Sequence, residues 1–239
     1  MKPINTLLTI FFISLLSSHS WSETLDDLIE RNGLYYQKFT DVPFTGKVTG
    51  EEQGSFKDGK RDSWLWYWIN SQLSSKGNYN NDEYKDARFK YHENGQLSSK
   101  GNLKNGKKEG AWVNYYENGQ LLKKGNYKNG KKEGVWFKYD ENGQLALKGN
   151  FKNGKEEGAW VNYHENGQLL YKGNFKNGKK EGAWVYYHEN GQLLYKGSYK
   201  NSKRKGDWIG YYDNGQLSGK GNLKNGKKEG AWVNYHENG

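Results

Sequence analysis

The chain has 239 residues, no Cys, 2 Pro and 32 Gly, and its 37 basic side chains outnumber 27 acidic ones, so no disulfide framework holds it and any core must come from packing. Leu, Ile, Val and Phe total only 43, near the level of disordered chains. Disorder is also poor in aromatics, whereas Phe, Trp and Tyr make up 16% here and recur at fixed spacing, which argues against it.

The first residues read as a processing signal. Lys2 supplies a positive n-region, and "LLTIFFISLL", Leu7 to Leu16, is an apolar stretch of signal-peptide length, too short for a membrane span. Ser20 and Ser22 flank Trp21, and Ser18 and Ser20 flank His19, so cleavage is expected after Ser22 or Ser20; an uncleaved anchor helix is the alternative. Residues 1–22 are therefore expected to be a signal peptide. The mature chain is expected to be exported, periplasmic or extracellular, with no transmembrane segment and no Cys near the cut to carry a lipid.

Residues 23–54 hold 7 acidic and 3 basic side chains, a net −4, whereas residues 55–239 hold 20 and 33, a net +13. In the first of these segments "ETLDDLIERNG" predicts one or two turns of helix, with Thr24 as N-cap, Asp26 and Asp27 in the first turn and Gly33 past the end. A degenerate hairpin around "GLYYQKFTDVPFTGKV" completes a unit able to cap the exposed end of an array.

From residue 55 to 239 the chain repeats. Trp recurs at 112, 136, 160, 184, 208 and 232, and the register extends back to Arg88 and Trp64, a period of 24 that marks a stacked array. One column is Tyr throughout, from Tyr67 to Tyr235, and beside it Leu65, Phe89, Val113, Phe137, Val161, Val185, Ile209 and Val233 form another. Each unit reads as a β-hairpin: "WVNYY" makes a strand, "ENGQ" places Asn118 and Gly119 where a tight turn wants positive φ, and "LLKKGNY" returns, before "KNGKKEG" turns again. Four Gly in every 24 residues disfavour helix. Alternation puts Val113 and Tyr115 on one face and Trp112 and Asn114 on the other. Because the column of Lys90, Asn114, Lys138 and Asn162 is polar, the Val and Tyr face is expected to be the core. A two-residue Asn-Gly turn would set Trp112 opposite Gly125 and over it; a three-residue turn with left-handed Gly would set Tyr115 opposite Leu121. Both registers stay open.

The recurring "NGQLxxKGNYKNGKKEGxWVxY" resembles the MORN repeat, in the bacterial variant form often labelled as a YwqK-type antitoxin, over residues from about 54 to 239. The resemblance implies an all-β fold, an elongated antiparallel β-meander of stacked hairpins, here with a short N-terminal helical cap. It implies a binding or scaffolding module, because such arrays are mostly that. An antitoxin-like neutralising role is a further alternative, at odds with export. The chain stops at "YHENG", halfway through a hairpin, which predicts a truncated sequence or self-association through the open C-terminal edge strand.

Candidates for chemistry dissolve into the repeat. His92, His164, His188 and His236 share one column, so neighbours lie two strand spacings apart, about 9.6 Å, whereas two ligands on one ion come within about 4 Å. Glu117, Glu141, Glu165 and Glu189 precede Asn-Gly turns, and Glu109, Glu133, Glu157 and Glu181 precede strand starts. Repetition gives them the same environment, while paired acid–base catalysis needs different ones. Ser lacks a nucleophile elbow and Gly a phosphate loop. No enzymatic activity, cofactor or metal is expected. The positive signal is charge: Lys100, Lys124, Lys148, Lys172, Lys196 and Lys220 stack into a stripe, and with Trp112, Trp136, Trp160 and Trp184 they form the expected binding surface. The expected partner is a protein docked on the extended sheet or, alternatively, an acidic envelope polymer, glycan or lipid; nucleic acid fits the charge but not the export signal.

Overall fold

The computed structural model describes residues 23–50, 52–80 and 83–238, so the expected signal peptide at 1–22 lies outside the described residues. Leu25–Asp27 form a single 3-10 turn, followed by β1 (Leu28–Arg31), β2 (Leu34–Gln37), β3 (Gly46–Val48), β4 (Gln53–Lys57) and β5 (Lys60–Tyr67). The repeats continue as β6 (Leu73–Asn80), β7 (Glu83–Tyr91), β8 (Leu97–Lys104), β9 (Lys107–Tyr115), β10 (Leu121–Lys128), β11 (Lys131–Tyr139) and β12 (Leu145–Lys152). They end with β13 (Lys155–Tyr163), β14 (Leu169–Lys176), β15 (Lys179–Tyr187), β16 (Leu193–Lys200), β17 (Lys203–Tyr211), β18 (Leu217–Lys224) and β19 (Lys227–Asn234).

The expected N-terminal helix does not form. Thr24 does open a turn, its N–H and Oγ1 donating to Asp27 Oδ2 at 2.8 and 2.7 Å, and these bonds hold the Asp27 carboxyl below the usual carboxylate range. The turn then stops, because Asn32 and Gly33 take φ of 54° and 74° and fold Leu28–Arg31 back against Leu34–Gln37 as a hairpin. Strand wins over helix because it lowers Leu28 into a buried cluster with Val48, Phe56 and Trp64. The expected hairpin over residues 33–48 is likewise divided. β2 pairs with β1, β3 pairs with β4, and an isolated bridge between Tyr36 and Pro43 joins the two parts.

From β3 to β19, 17 strands form one antiparallel meander in which each pairs with its chain neighbours. Closing it into a ring would require β19 against β3. Among the described residues no register joins those two, and β19 is exposed along nearly its whole length, so the sheet is open.

The two turns of each repeat differ. In "KNGK", Lys128 pairs with Lys131 across Asn129 (φ 50°) and Gly130 (φ 78°), a two-residue turn. In "ENGQ", Tyr115 pairs with Leu121, Tyr116 N–H donates to Gln120 O at 2.8 Å, and Gly119 alone takes positive φ, 82°. That is the three-residue turn. One residue on, a bulge at Leu122 shifts the ladder so that Gly125 comes opposite Trp112, the pairing expected of the other register. Both pairings occur in one hairpin, although the two-residue turn itself does not form at "ENGQ".

The core lies on the face that the alternation assigned to solvent. Trp112, Trp136, Trp160, Trp184 and Trp208 are 0–6% exposed, while the Val and Tyr columns are only half-buried. The cause is a second bulge. Between Lys124–Phe137 and Asn126–Glu133, three residues of β11 face the single Gly125 of β10, and Gly134 there has φ 69°. The kink swings the Trp136 ring onto Gly125, where a Cβ would lie inside the indole. Every Trp from 112 to 232 lies in this way on the Gly eleven residues before it, so Trp112 covers Gly101 and not Gly125. Its Nε1 donates to Asn102 O at 3.0 Å, and Trp136, Trp160, Trp184 and Trp232 repeat the bond. Trp208 lacks it, and nothing in the structure explains the exception. Tyr127, Phe151, Phe175 and Tyr199 stand between the indoles, giving an unbroken edge-to-face ladder from Trp112 to Trp208 with centroids 5.0–6.2 Å apart.

Candidate functional site

The sheet offers two faces. Lys124 pairs directly with Val113 and Phe137, which puts the stripe Lys100, Lys124, Lys148, Lys172, Lys196 and Lys220 on the Val and Tyr face. All six are exposed, and Lys124 Nζ lies 5.4 Å over the Phe137 ring. Trp112, Trp136, Trp160 and Trp184 lie on the opposite face, buried. The structure therefore does not bring the two halves of the expected surface together. Nor does it offer the Trp rings to a partner: each has Gly beneath, and Lys108, Lys132 and Lys180 hold their ammonium groups 4.1–4.7 Å above Trp112, Trp136 and Trp184.

The other repeat residues hold the edges of the array. Asn118 Oδ1 accepts from Gln120 N–H at 2.9 Å while its Nδ2 donates to Glu141 O of the next repeat at 3.0 Å. His92, His164 and His188 bridge through Nε2 to the carbonyls of Tyr115, Tyr187 and Tyr211 at 3.0 Å, a role that Tyr116 fills by donating its hydroxyl to Tyr139 O. Along the opposite edge Glu109, Glu133, Glu157 and Glu181 accept the backbone N–H of Asn129, Asn153, Asn177 and Asn201 at 2.7–3.0 Å. These His and Glu columns thus have structural partners.

On the Trp face, a pair of columns changes chemical character from repeat to repeat. Directly opposed across strands, one reads Trp66, Lys90, Asn114, Lys138, Asn162, Tyr186, Gly210, Asn234, and the other Ser75, Ser99, Lys123, Leu147, Tyr171, Tyr195, Gly219. Sequence reasoning used the first column only to find the solvent side. The usable signal was its variation from repeat to repeat within nearly identical units.

These columns divide the face in two. Over β7–β11 it carries Arg88, Lys90, Lys108, Lys123, Lys132 and Lys138, and Lys123 lies directly opposite Lys138. Burial first, then the charges of Lys123, Lys90 and Arg88, holds the Lys108 ammonium below the ordinary lysine value; burial and Lys123 do the same to Lys132, opposed by Glu156. An open concavity of about 1130 Å³ lies at this end, lined by Trp66, Ser75, Arg88 and Lys90 and also by Glu93 and Glu117. Over β14–β16 the same columns hold Tyr171, Tyr186 and Tyr195, with centroids 5.7 and 4.3 Å apart. Burial raises the Tyr186 hydroxyl pKa, and Lys180 Nζ donates to that hydroxyl at 2.6 Å.

The model of the family described as MORN repeat variant matches residues 87–105, 108–129, 132–153, 156–177, 180–201 and 204–225, more than half of the chain. No curated protein matches. Among solved structures, the crystal structure of TcdB2-TccC3-Cdc42 is 11% identical, with 80% of this chain and 13% of that chain covered at a TM-score of 0.19. That of TcdB2-TccC3-TEV is 12% identical, with 78% and 13% covered at 0.18. This chain spans about an eighth of the length of those chains, a likeness too loose to inform its function.

Proposed function

The chain belongs to the MORN repeat variant family, and from that premise we propose that it is an exported, non-catalytic repeat scaffold that binds a protein partner through the extended surface of its sheet. The observation that carries this reading is the division of labour among the columns. Trp, Gly, Asn, His and Glu are occupied in holding one repeat to the next, while two opposed columns of one face change from cationic to aromatic along the array. A scaffold needs sameness for its frame and difference for its partner.

A photo-reactive residue at Asn162, on the Trp face, or at Lys172, on the Lys face, tests the reading after exposure of the mature chain to envelope extract. Protein adducts of discrete mass from Asn162 are expected, and their absence from both positions overturns it. A second reading rests on the Lys stripe, exposed in every repeat from Lys100 to Lys220, which suits an acidic envelope polymer. That reading expects a polymer adduct at Lys172 that weakens steeply with salt.

Export rests on Lys2 and the apolar Leu7–Leu16 stretch. Mature protein from its native cell is expected to begin at Glu23 or Trp21. An intact Met1 on cytosolic protein, found by N-terminal sequencing, contradicts it.

A further inference from the structure

We infer that the Trp face binds an extended peptide segment of mixed character, with an acidic stretch over β7–β11 and an apolar or aromatic stretch against Tyr171 and Tyr195 on β14 and β16. The inference rests on the protein-scaffold reading above and gives the partner its chemistry. Five lysines, Lys90, Lys108, Lys123, Lys132 and Lys138, share this face over β7–β11. Lys123 directly opposite Lys138 is an arrangement that destabilises a sheet by itself, and an anion laid between them removes the repulsion. Four to five strands further on, the same columns present Tyr171, Tyr186 and Tyr195 in a contiguous row.

A peptide fits this order better than a sugar or nucleic acid chain. Carbohydrate rings and bases bind aromatic side chains by stacking, which needs a free ring face. Here the Trp112, Trp136, Trp184 and Trp208 indoles lie between a Gly below and a Lys or Arg above, and the Tyr171 and Tyr195 rings lean on Trp184 and Trp208 at 5.6 and 5.8 Å. Ion pairing at one end and apolar edge contact at the other remain, and only a chain that changes its side chains along its length supplies both. Nine strand spacings from β7 to β16 make about 43 Å, the reach of about 13 extended residues.

The test uses the full mature chain and a fluorescent peptide of about 13 residues, Glu-rich in one half and containing Phe and Leu in the other, beside a Glu-only peptide of equal length and polygalacturonate of equal charge. Anisotropy should show the mixed peptide binding about tenfold more tightly than the Glu-only peptide. Lys123→Gln with Lys138→Gln should weaken both peptides by about tenfold, whereas Tyr171→Ser with Tyr195→Ser should reduce the mixed peptide to the affinity of the Glu-only one. Lys124→Gln with Lys148→Gln, on the opposite face, should change neither. The lysine pair relieves a like-charge contact and folds at least as stably as the parent, so the test does not depend on the tyrosine variant folding. Equal affinity for polygalacturonate, or equal loss from the opposite-face variant, overturns the inference. A protein adduct at Asn162 without preference for the mixed peptide overturns it and leaves the scaffold reading standing; failure of both experiments removes both.

Discussion

Trp160 and Gly149 meet so closely that the identity of each depends on the other. An Ala at 149 would drive its Cβ into the indole, so Gly149→Ala is expected to cost about 3 kcal/mol, and Trp160→Ala, which empties the site and breaks the Nε1 bond to Asn150 O, about 4 kcal/mol. In the double variant the Cβ no longer clashes, so its loss should be close to that of Trp160→Ala alone, a non-additivity that urea denaturation of the three variants measures. Tyr163→Ala, on the half-buried face, is expected to cost less than Trp160→Ala. This reverses the order that alternation suggests. Period-2 reading relates Trp160 to Asn162 and Val161 to Tyr163 but is blind to Gly158, whose φ of 67° kinks the strand and tips the indole onto the sheet. The Gly column was visible in the sequence, and so was the Trp column eleven residues after it; that one covers the other needed the bulge.

At the scale of the element, the two Asn-Gly turns look alike in sequence and differ in what Asn does. Asn177 has φ 51° and contributes its backbone N–H to Glu157 Oε2 at 2.8 Å, which any residue tolerant of that conformation can do. Asn166 contributes its side chain, accepting from Gln168 N–H at 2.9 Å and donating to Glu189 O at 2.6 Å. Asn177→Gly is therefore expected to stay within about 0.5 kcal/mol of the parent, and Asn166→Gly to lose about 2 kcal/mol, read as shifts in the denaturation midpoint at unchanged slope. Equal losses would mean that the side-chain bonds between repeats contribute nothing. Hairpins were legible because Asn-Gly between β-forming runs has a local cause. The helix expected at Leu25–Arg31 was misread because its competitor was not local: Leu28 reaches Val48, Phe56 and Trp64, twenty or more residues away. The candidate site was legible in half, since the Lys stripe follows from the period alone, whereas the cationic and aromatic blocks of the Trp face require knowing which columns share a face.

For the whole molecule, an open meander of 17 strands advances by about 80 Å and should give a radius of gyration of about 24 Å, against about 17 Å for a compact domain of similar length; small-angle scattering separates the two. Such a sheet is only as cooperative as its nearest-neighbour contacts. The aromatic ladder runs from Trp112 to Trp208, and a separate cluster of Leu28, Val48, Phe56 and Trp64 closes the N-terminal end. Between them the Trp column holds Arg88, with Gly77 opposite it in the register that pairs Gly101 with Trp112 and Gly221 with Trp232. A cation in that place interrupts the aromatic core that runs on either side of it. Arg88→Trp is therefore expected to raise the denaturation midpoint by joining the two aromatic clusters, and in the same protein to weaken the mixed acidic peptide by about threefold through loss of one of six charges. Arg88→Ala should weaken the peptide similarly without the gain in stability. If Arg88→Trp stabilises the array and leaves peptide affinity unchanged, the cations of β7–β11 do not act as one site; if it destabilises the array, Arg88 belongs to the frame and was never exchanged for function.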